Sequence, residues 1–149
     1  MSLLWVSMAV FVGFLVPTQI GVNGRLGVFL ENPILAALVS FTVGATSLLF
    51  VTSALGMFSS ASGKWVGVPL VYFTGGLIGA VIVSASSFLA PQLGSTTYLS
   101  IAIASQLLFS LLLDVYGLAG FEKRTLAWQQ VAGVFLLVLG TLLVVRYRV

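Results

Sequence analysis

Two short rows of polar side chains stand inside stretches that are otherwise apolar. Gln19 and Asn23 are four residues apart, hence on one face of a helix, and lie beside Gly21, Gly24 and the charged Arg25. Gln106, Ser110 and Asp114 repeat that spacing farther along, while Ser40, Ser84, Ser86, Ser87 and Gln92 are further polar residues in apolar surroundings. Amides, hydroxyls and one carboxylate can bind a solute by exchanging hydrogen bonds. The chain has no histidine and no cysteine, which excludes disulfide scaffolds, thiolate or imidazole metal sites and Cys- or His-based nucleophile systems. A lone aspartate cannot form the carboxylate pair that intramembrane proteolysis uses. Gly63-Lys64 is no nucleotide-binding loop, because Trp65 follows it and no glycine stands five residues earlier. These residues point to binding or transport without enzymatic activity, metal or cofactor.

Helices must hold them. Of 149 residues, 60% are apolar and 6% charged, against roughly 25% charged in soluble domains. A pI near 9.7 with no basic cluster is not a nucleic-acid footprint. The charges lie outside five uncharged runs: Leu3 to Thr18, Ile34 to Leu55, Trp65 to Ala90, Gln92 to Leu113 and Leu126 to Val145. A helix needs about 20 residues to cross the hydrocarbon core, and lipid obliges each run to satisfy its own backbone. The expectation is an all-α, polytopic membrane protein with five transmembrane helices forming a single domain over residues 1–149.

Punctuation supports the division. Asn32-Pro33 reads as a helix cap followed by Pro at the first helical position. Gly56 to Gly63 separates spans two and three, Pro91 is expected to stop span three, and Gly117 and Gly120 follow span four. Pro17 frees the carbonyl of Gly13, so a kink is expected in span one. Trp5, Trp65, Tyr98, Tyr116, Trp128 and Tyr147 gather near span ends, where amphipathic rings prefer the headgroup zone. Span one lacks a basic leader and a cleavage pattern and is read as retained.

Five spans put the termini on opposite sides of the membrane. Lys64, Lys123 and Arg124 fall on the side of the N-terminus, and Arg25, Arg146 and Arg148 on the other. Orientation follows the Lys/Arg bias between sides, and here the bias vanishes. Either a partner or the insertion machinery sets the orientation, or the chain inserts both ways and two copies pair head to tail. The latter would make one chain half of an inverted-repeat transporter, with its substrate site between the halves.

Small residues at four-residue spacing mark close helix contacts in lipid: Ala36, Ser40 and Gly44; Gly76, Ala80 and Ser84; and, one heptad apart, Gly133 and Gly140. Gln19, Asn23, Ser84, Ser86, Ser87 and Gln92 should share one leaflet, as a substrate vestibule or as an interhelical hydrogen-bond cluster. Asp114 falls in the last turn of its span, where the helix dipole disfavours an anion. Lys64, Lys123 and Arg124 are available to it within one chain, and Arg25 of an inverted partner would reach the same side.

The sequence resembles the YdcZ-type family of short membrane proteins in the drug/metabolite transporter superfamily. The resemblance is carried by Gln19-x-x-x-Asn23 running into Arg25-Leu26-Gly27, by Ala37-Leu38-Val39-Ser40-Phe41 with Gly44, and by Pro91-x-Leu93-Gly94. Gln106-x-x-x-Ser110-Leu111-Leu112-Leu113-Asp114 with Gly117-Leu118, then Gly133 and Gly140, complete it, and it spans essentially the whole chain. Ser105 departs from the pattern, in which Gly precedes the glutamine. The resemblance implies a five-helix unit related to half of a ten-helix, two-repeat transporter, inner-membrane residence, and export of small metabolites or drugs through an inverted dimer.

The leading expectation is a secondary transporter working by alternating access as an antiparallel homodimer, or with a paralogous five-helix subunit. Gln19, Asn23, Ser40, Gln106, Ser110 and Asp114 would bind its substrate, and Arg25 and Asp114 would form an intersubunit ion pair. The alternative is a non-transporting subunit that binds or stabilises a partner protein in the bilayer.

Overall fold

The computed structural model describes residues 3–60 and 66–147. Lys64, Trp65 and Arg148 of the sequence reading lie outside them. All regular elements among the described residues are helical: α1 (Leu3–Phe29), α2 (Pro33–Ala54), a short α3 (Met57–Ser60), α4 (Thr74–Leu93, entered through a 3-10 turn at Leu70–Phe73), α5 (Ser95–Tyr116) and α6 (Trp128–Arg146). Five of these, α4 counted with its 3-10 turn, are long and apolar enough to cross a membrane, so the expected spans are present. Contacts gather the helices into two compact units, Met1–Gln92 and Leu93–Val149.

The first unit is held by small residues. Asn23, Gly24 and Gly27 of α1, Ala36 and Ala37 of α2, and Ser86, Ser87 and Ala90 of α4 are buried. A Cβ built on Gly24 would stand 3.1 Å from Cγ of Pro91, and one on Gly27 would stand 3.7 Å from both the Ala36 Cβ and the Ser87 carbonyl oxygen. Helices in lipid gain little from burying bulk against each other, so close backbone approach and dispersion carry the contact. The first half of α1, Leu3 to Val16, is exposed throughout and presents Leu, Val, Phe and Trp to the hydrocarbon.

The turn between α1 and α2 is a Schellman ending. The Asn32 N–H donates to the Gly27 carbonyl at 3.0 Å and the Glu31 N–H to that of Val28 at 3.2 Å. The next helix is capped by the same Asn32, whose Oδ1 accepts from the N–H groups of Ile34 (2.9 Å) and Leu35 (3.2 Å). Glu31 occupies the left-handed position, with φ 51°, where glycine is the usual residue. Its charge faces the unfavourable end of α1 and the favourable end of α2, so the dipole effects largely cancel. Relief of about 1–2 kcal/mol of left-handed strain, less glycine's entropy cost of roughly 0.5–1 kcal/mol, leaves a net gain for Glu31→Gly. That variant should melt above the wild type in detergent, while Glu31→Gln, which removes only the charge, should not.

One expectation about proline is corrected: α4 runs through Pro91 to Leu93. α1 likewise carries Pro17 inside a single helix. The break falls at Gly94, whose φ of 78° starts α5. Proline withholds one N–H from the carbonyl four residues earlier, and a helix survives that loss where the surroundings accept an unpaired oxygen.

In the second unit α5 and α6 run antiparallel. Thr97 and Ala104 of α5 are buried, and the Thr141 hydroxyl of α6 is shared between the Ser100 carbonyl at 3.2 Å and its own helix's Leu137 carbonyl at 3.0 Å. α5 ends at Gly117 (φ 65°), whose N–H donates to the Leu113 carbonyl at 2.8 Å. The connection then folds back, and the Arg124 N–H reaches the Asp114 carbonyl at 2.8 Å. α6 begins with the Gln130 side chain accepting from the Ala127 N–H at 3.0 Å, half of a capping box. It ends with the Arg146 guanidinium 5.8 Å from the centre of the Tyr147 ring, a cation–π contact suited to the headgroup zone.

Candidate functional site

Most hydroxyls in the spans are accounted for locally. Thr18, Thr42, Thr46, Ser47, Thr52, Ser100 and Ser105 each donate to the carbonyl four residues earlier, at 2.7–3.0 Å. A hydroxyl satisfied in this way can face lipid at little cost and says nothing about binding. Gln19, Asn23, Ser40, Gln106, Ser110 and Asp114 differ: among the described residues none of these six side chains makes a hydrogen bond or an ion pair. Unpaired polar groups inside an apolar span need a partner from elsewhere.

The six are placed unevenly. In the first unit Asn23 is buried, Ser40 half-buried and Gln19 exposed. The stretch of α1 that carries Asn23 packs on the stretch of α4 that carries Ser87, as the Gly24 and Gly27 contacts establish. That joins part of the expected polar cluster, while Gln19 and Gln92 are exposed and Ser84 is half-buried.

In the second unit Gln106 is exposed, and Ser110 and Asp114 are half-buried. At 100° per residue Gln106 lies roughly 200° around α5 from Ala104. Gln106 therefore lies away from the side of α5 that carries Ala104, whereas Asp114, ten residues from Ala104, is only about 80° from it. Asp114 meets Arg124 through its main chain and not through its carboxylate: the carbonyl takes the Arg124 N–H. Lys123 and Arg124 thus lie at the C-terminal end of α5, where positive charge offsets the helix dipole.

Three features escaped the sequence reading. Thr97 is buried without a hydrogen bond among the described residues, and its heptad spacing to Ala104 is the only local sign of that. The Ser87 carbonyl is deprived of a helical donor by Pro91, a loss that counting back four residues from the proline would have found. The small-residue rows also divide: Ala36 is buried, but a Cβ on Gly44, Gly76, Gly133 or Gly140 would meet nothing within 4 Å.

Five helices long and apolar enough to cross a membrane define a multi-pass helical membrane protein. The chain belongs to the family described as "Putative inner membrane exporter, YdcZ", which matches residues 4–143. This bears out the resemblance seen in the sequence and identifies a multi-pass inner-membrane protein of an exporter family. No curated relative and no solved structure matches the chain.

Proposed function

We propose that the protein is a secondary exporter of small metabolites or drugs that works by alternating access as an antiparallel, dual-topology dimer. The observation that carries the reading is the even division of Lys and Arg, three on each side of a five-span chain, in a family of exporters. Charge that favours neither orientation allows both, and two opposed five-helix units reproduce the inverted repeats of many transporters. The six unpaired side chains then line a path shared by the two copies. Asp114 and the partner's Arg25 reach the same side of the membrane and complete an ion pair that the single chain leaves open.

The absence of cysteine makes the topology test direct. A single thiol at the exposed loop residue Glu122 leaves the Lys/Arg count untouched. In intact cells, a membrane-impermeant thiol reagent should label about half of the Glu122→Cys protein, and permeabilisation should expose the rest, since acidic residues barely affect orientation. Labelling that is nearly complete, or nearly absent, before permeabilisation refutes dual topology.

A further inference from the structure

α5 opens on an uncapped end. Its first hydrogen bond runs from the Tyr98 N–H to the Gly94 carbonyl at 3.0 Å, so the N–H groups of Ser95, Thr96 and Thr97 precede the ladder. Gly94, at φ 78° and ψ 144°, has no side chain to cap them, unlike Asn32 at the head of α2. Ser95-Thr96-Thr97 also brings three hydroxyls to this end. None makes a hydrogen bond among the described residues, since no carbonyl of α5 lies four residues before them. Ser95 and Thr96 are exposed, and solvent serves them.

Thr97 is different. It is only 7% exposed, so little solvent reaches it, yet its hydroxyl has no partner among the described residues. No fully sealed side-chain oxygen among those residues lacks a partner, so that of Thr97 keeps an opening. The Cα–Cβ bonds of a helix tilt toward its N-terminus. From the third helical position the Thr97 side chain therefore leans over the turn that carries the free N–H groups.

Depth and charge select the occupant. With 22 residues α5 is about 33 Å long, against a hydrocarbon core of roughly 30 Å, which puts Gly94 at headgroup depth. α6 returns beside it, the Thr141 hydroxyl meeting the Ser100 carbonyl. Counting from that contact, Gly94 lies six residues along α5 and Arg146 five residues along α6, about 9 and 7.5 Å. Both stand at one level. The Arg146 charge exceeds the roughly half-unit negative end of α6, and the N-terminus of α5 adds its own positive end. Among the described residues of this unit the carboxylates lie far off. Asp114 is twenty residues along α5 from Gly94, about 30 Å, and Glu122 is in the loop beyond. Free N–H groups, a recessed hydroxyl and unopposed positive charge suit an anion that presents several oxygens.

We propose that Gly94 to Thr97 bind the phosphate group of an anionic ligand, with the Thr97 hydroxyl donating to one of its oxygens. Two sources carry this chemistry at headgroup depth, an anionic phospholipid and a free phosphate. The site does not depend on export or on pairing of two copies.

Delipidated protein in detergent, at an ionic strength held constant with chloride, tests it with three probes. These are inorganic phosphate, dihexanoyl phosphatidylglycerol, and dihexanoyl phosphatidylcholine, which has the same chains and no net charge. Phosphate or phosphatidylglycerol should raise the melting temperature by several degrees in a saturable way, and phosphatidylcholine should not. A response to inorganic phosphate assigns a free anion, and one confined to phosphatidylglycerol assigns a headgroup. Thr97→Val removes the hydroxyl from a side chain of the same shape. It should raise the half-saturating concentration about tenfold or more, the worth of a hydrogen bond to a charged group, while Thr97→Ser keeps the response. Ser95→Asp sets a carboxylate beside the free N–H groups. It should melt above the wild type without a probe and lose the effect of the probe, a combination that no folding defect produces.

No saturable shift with phosphate or phosphatidylglycerol, an equal response to phosphatidylcholine, or undiminished binding in Thr97→Val or Ser95→Asp each overturns the site.

Discussion

Gly24→Leu is expected to melt far below the wild type and to lose its monodisperse profile in detergent, while Gly21→Leu, three residues away, stays close to it. The two substitutions make the same chemical change in the same helix and gain the same helix propensity, about 1 kcal/mol at most. Their difference isolates packing. A Cβ on Gly21 meets nothing within 4 Å, whereas one on Gly24 lies 3.1 Å from Cγ and 3.5 Å from Cδ of Pro91. The pyrrolidine ring is rigid and cannot swing aside as a flexible chain would, so even alanine requires α1 and α4 to part by a few tenths of an ångström. Leucine adds three more carbons to that contact. Overpacking of this kind costs roughly 1–3 kcal/mol, and here it falls where the first unit has only small residues to bury. Thermal unfolding of the two variants side by side is the measurement, and equal melting temperatures would show that Gly24 does not meet Pro91 in the membrane.

Gly117→Ala is the second large effect. Gly117 has a φ of 65°, where a side chain costs about 1–2 kcal/mol. The added Cβ would also stand 3.2 Å from both the main-chain nitrogen and the Cβ of Lys123. That neighbour is main chain, so the whole returning segment must shift, and the Arg124 N–H is drawn off the Asp114 carbonyl. Losing that bond adds roughly 0.5–1.5 kcal/mol. Gly120→Ala provides the contrast, because Gly120 shares a positive φ of 87° but has nothing within 4 Å. It should carry strain alone. Trypsin should cleave after Lys123 and Arg124 faster in Gly117→Ala than in Gly120→Ala, since only the former frees the segment. Equal cleavage rates would mean that the return of this loop over the end of α5 contributes no stability.

These two glycines show how differently sequence and structure inform. Gly117 follows an apolar run and precedes charged residues, so its role as a helix ending is visible locally. Gly24 sits in a row with Gly21 and Gly27, and no local pattern tells which of the three meets a neighbour. The same holds for the row of Gly133 and Gly140, whose spacing marks a close-packing face that the single chain leaves open. Gln19 and Asn23 are equivalent by spacing, yet one is exposed and the other buried, because the contact with α4 begins partway along α1.

The number of spans, their helical character, the Asn32 cap and the even charge division were determined by the sequence alone. Lipid leaves a polar backbone no alternative to helix, and capping and charge are properties of neighbours in the chain. Helix ends were harder: Pro91 reads as a stop, but Gly94 ends the helix, since a missing donor is felt four residues back and not ahead. Which polar groups are enclosed and which glycine meets a neighbour were decided only by tertiary structure. The space at Gly24 is closed by a proline and a serine more than sixty positions away, and contact at that range follows from how helices pack, which no local pattern records.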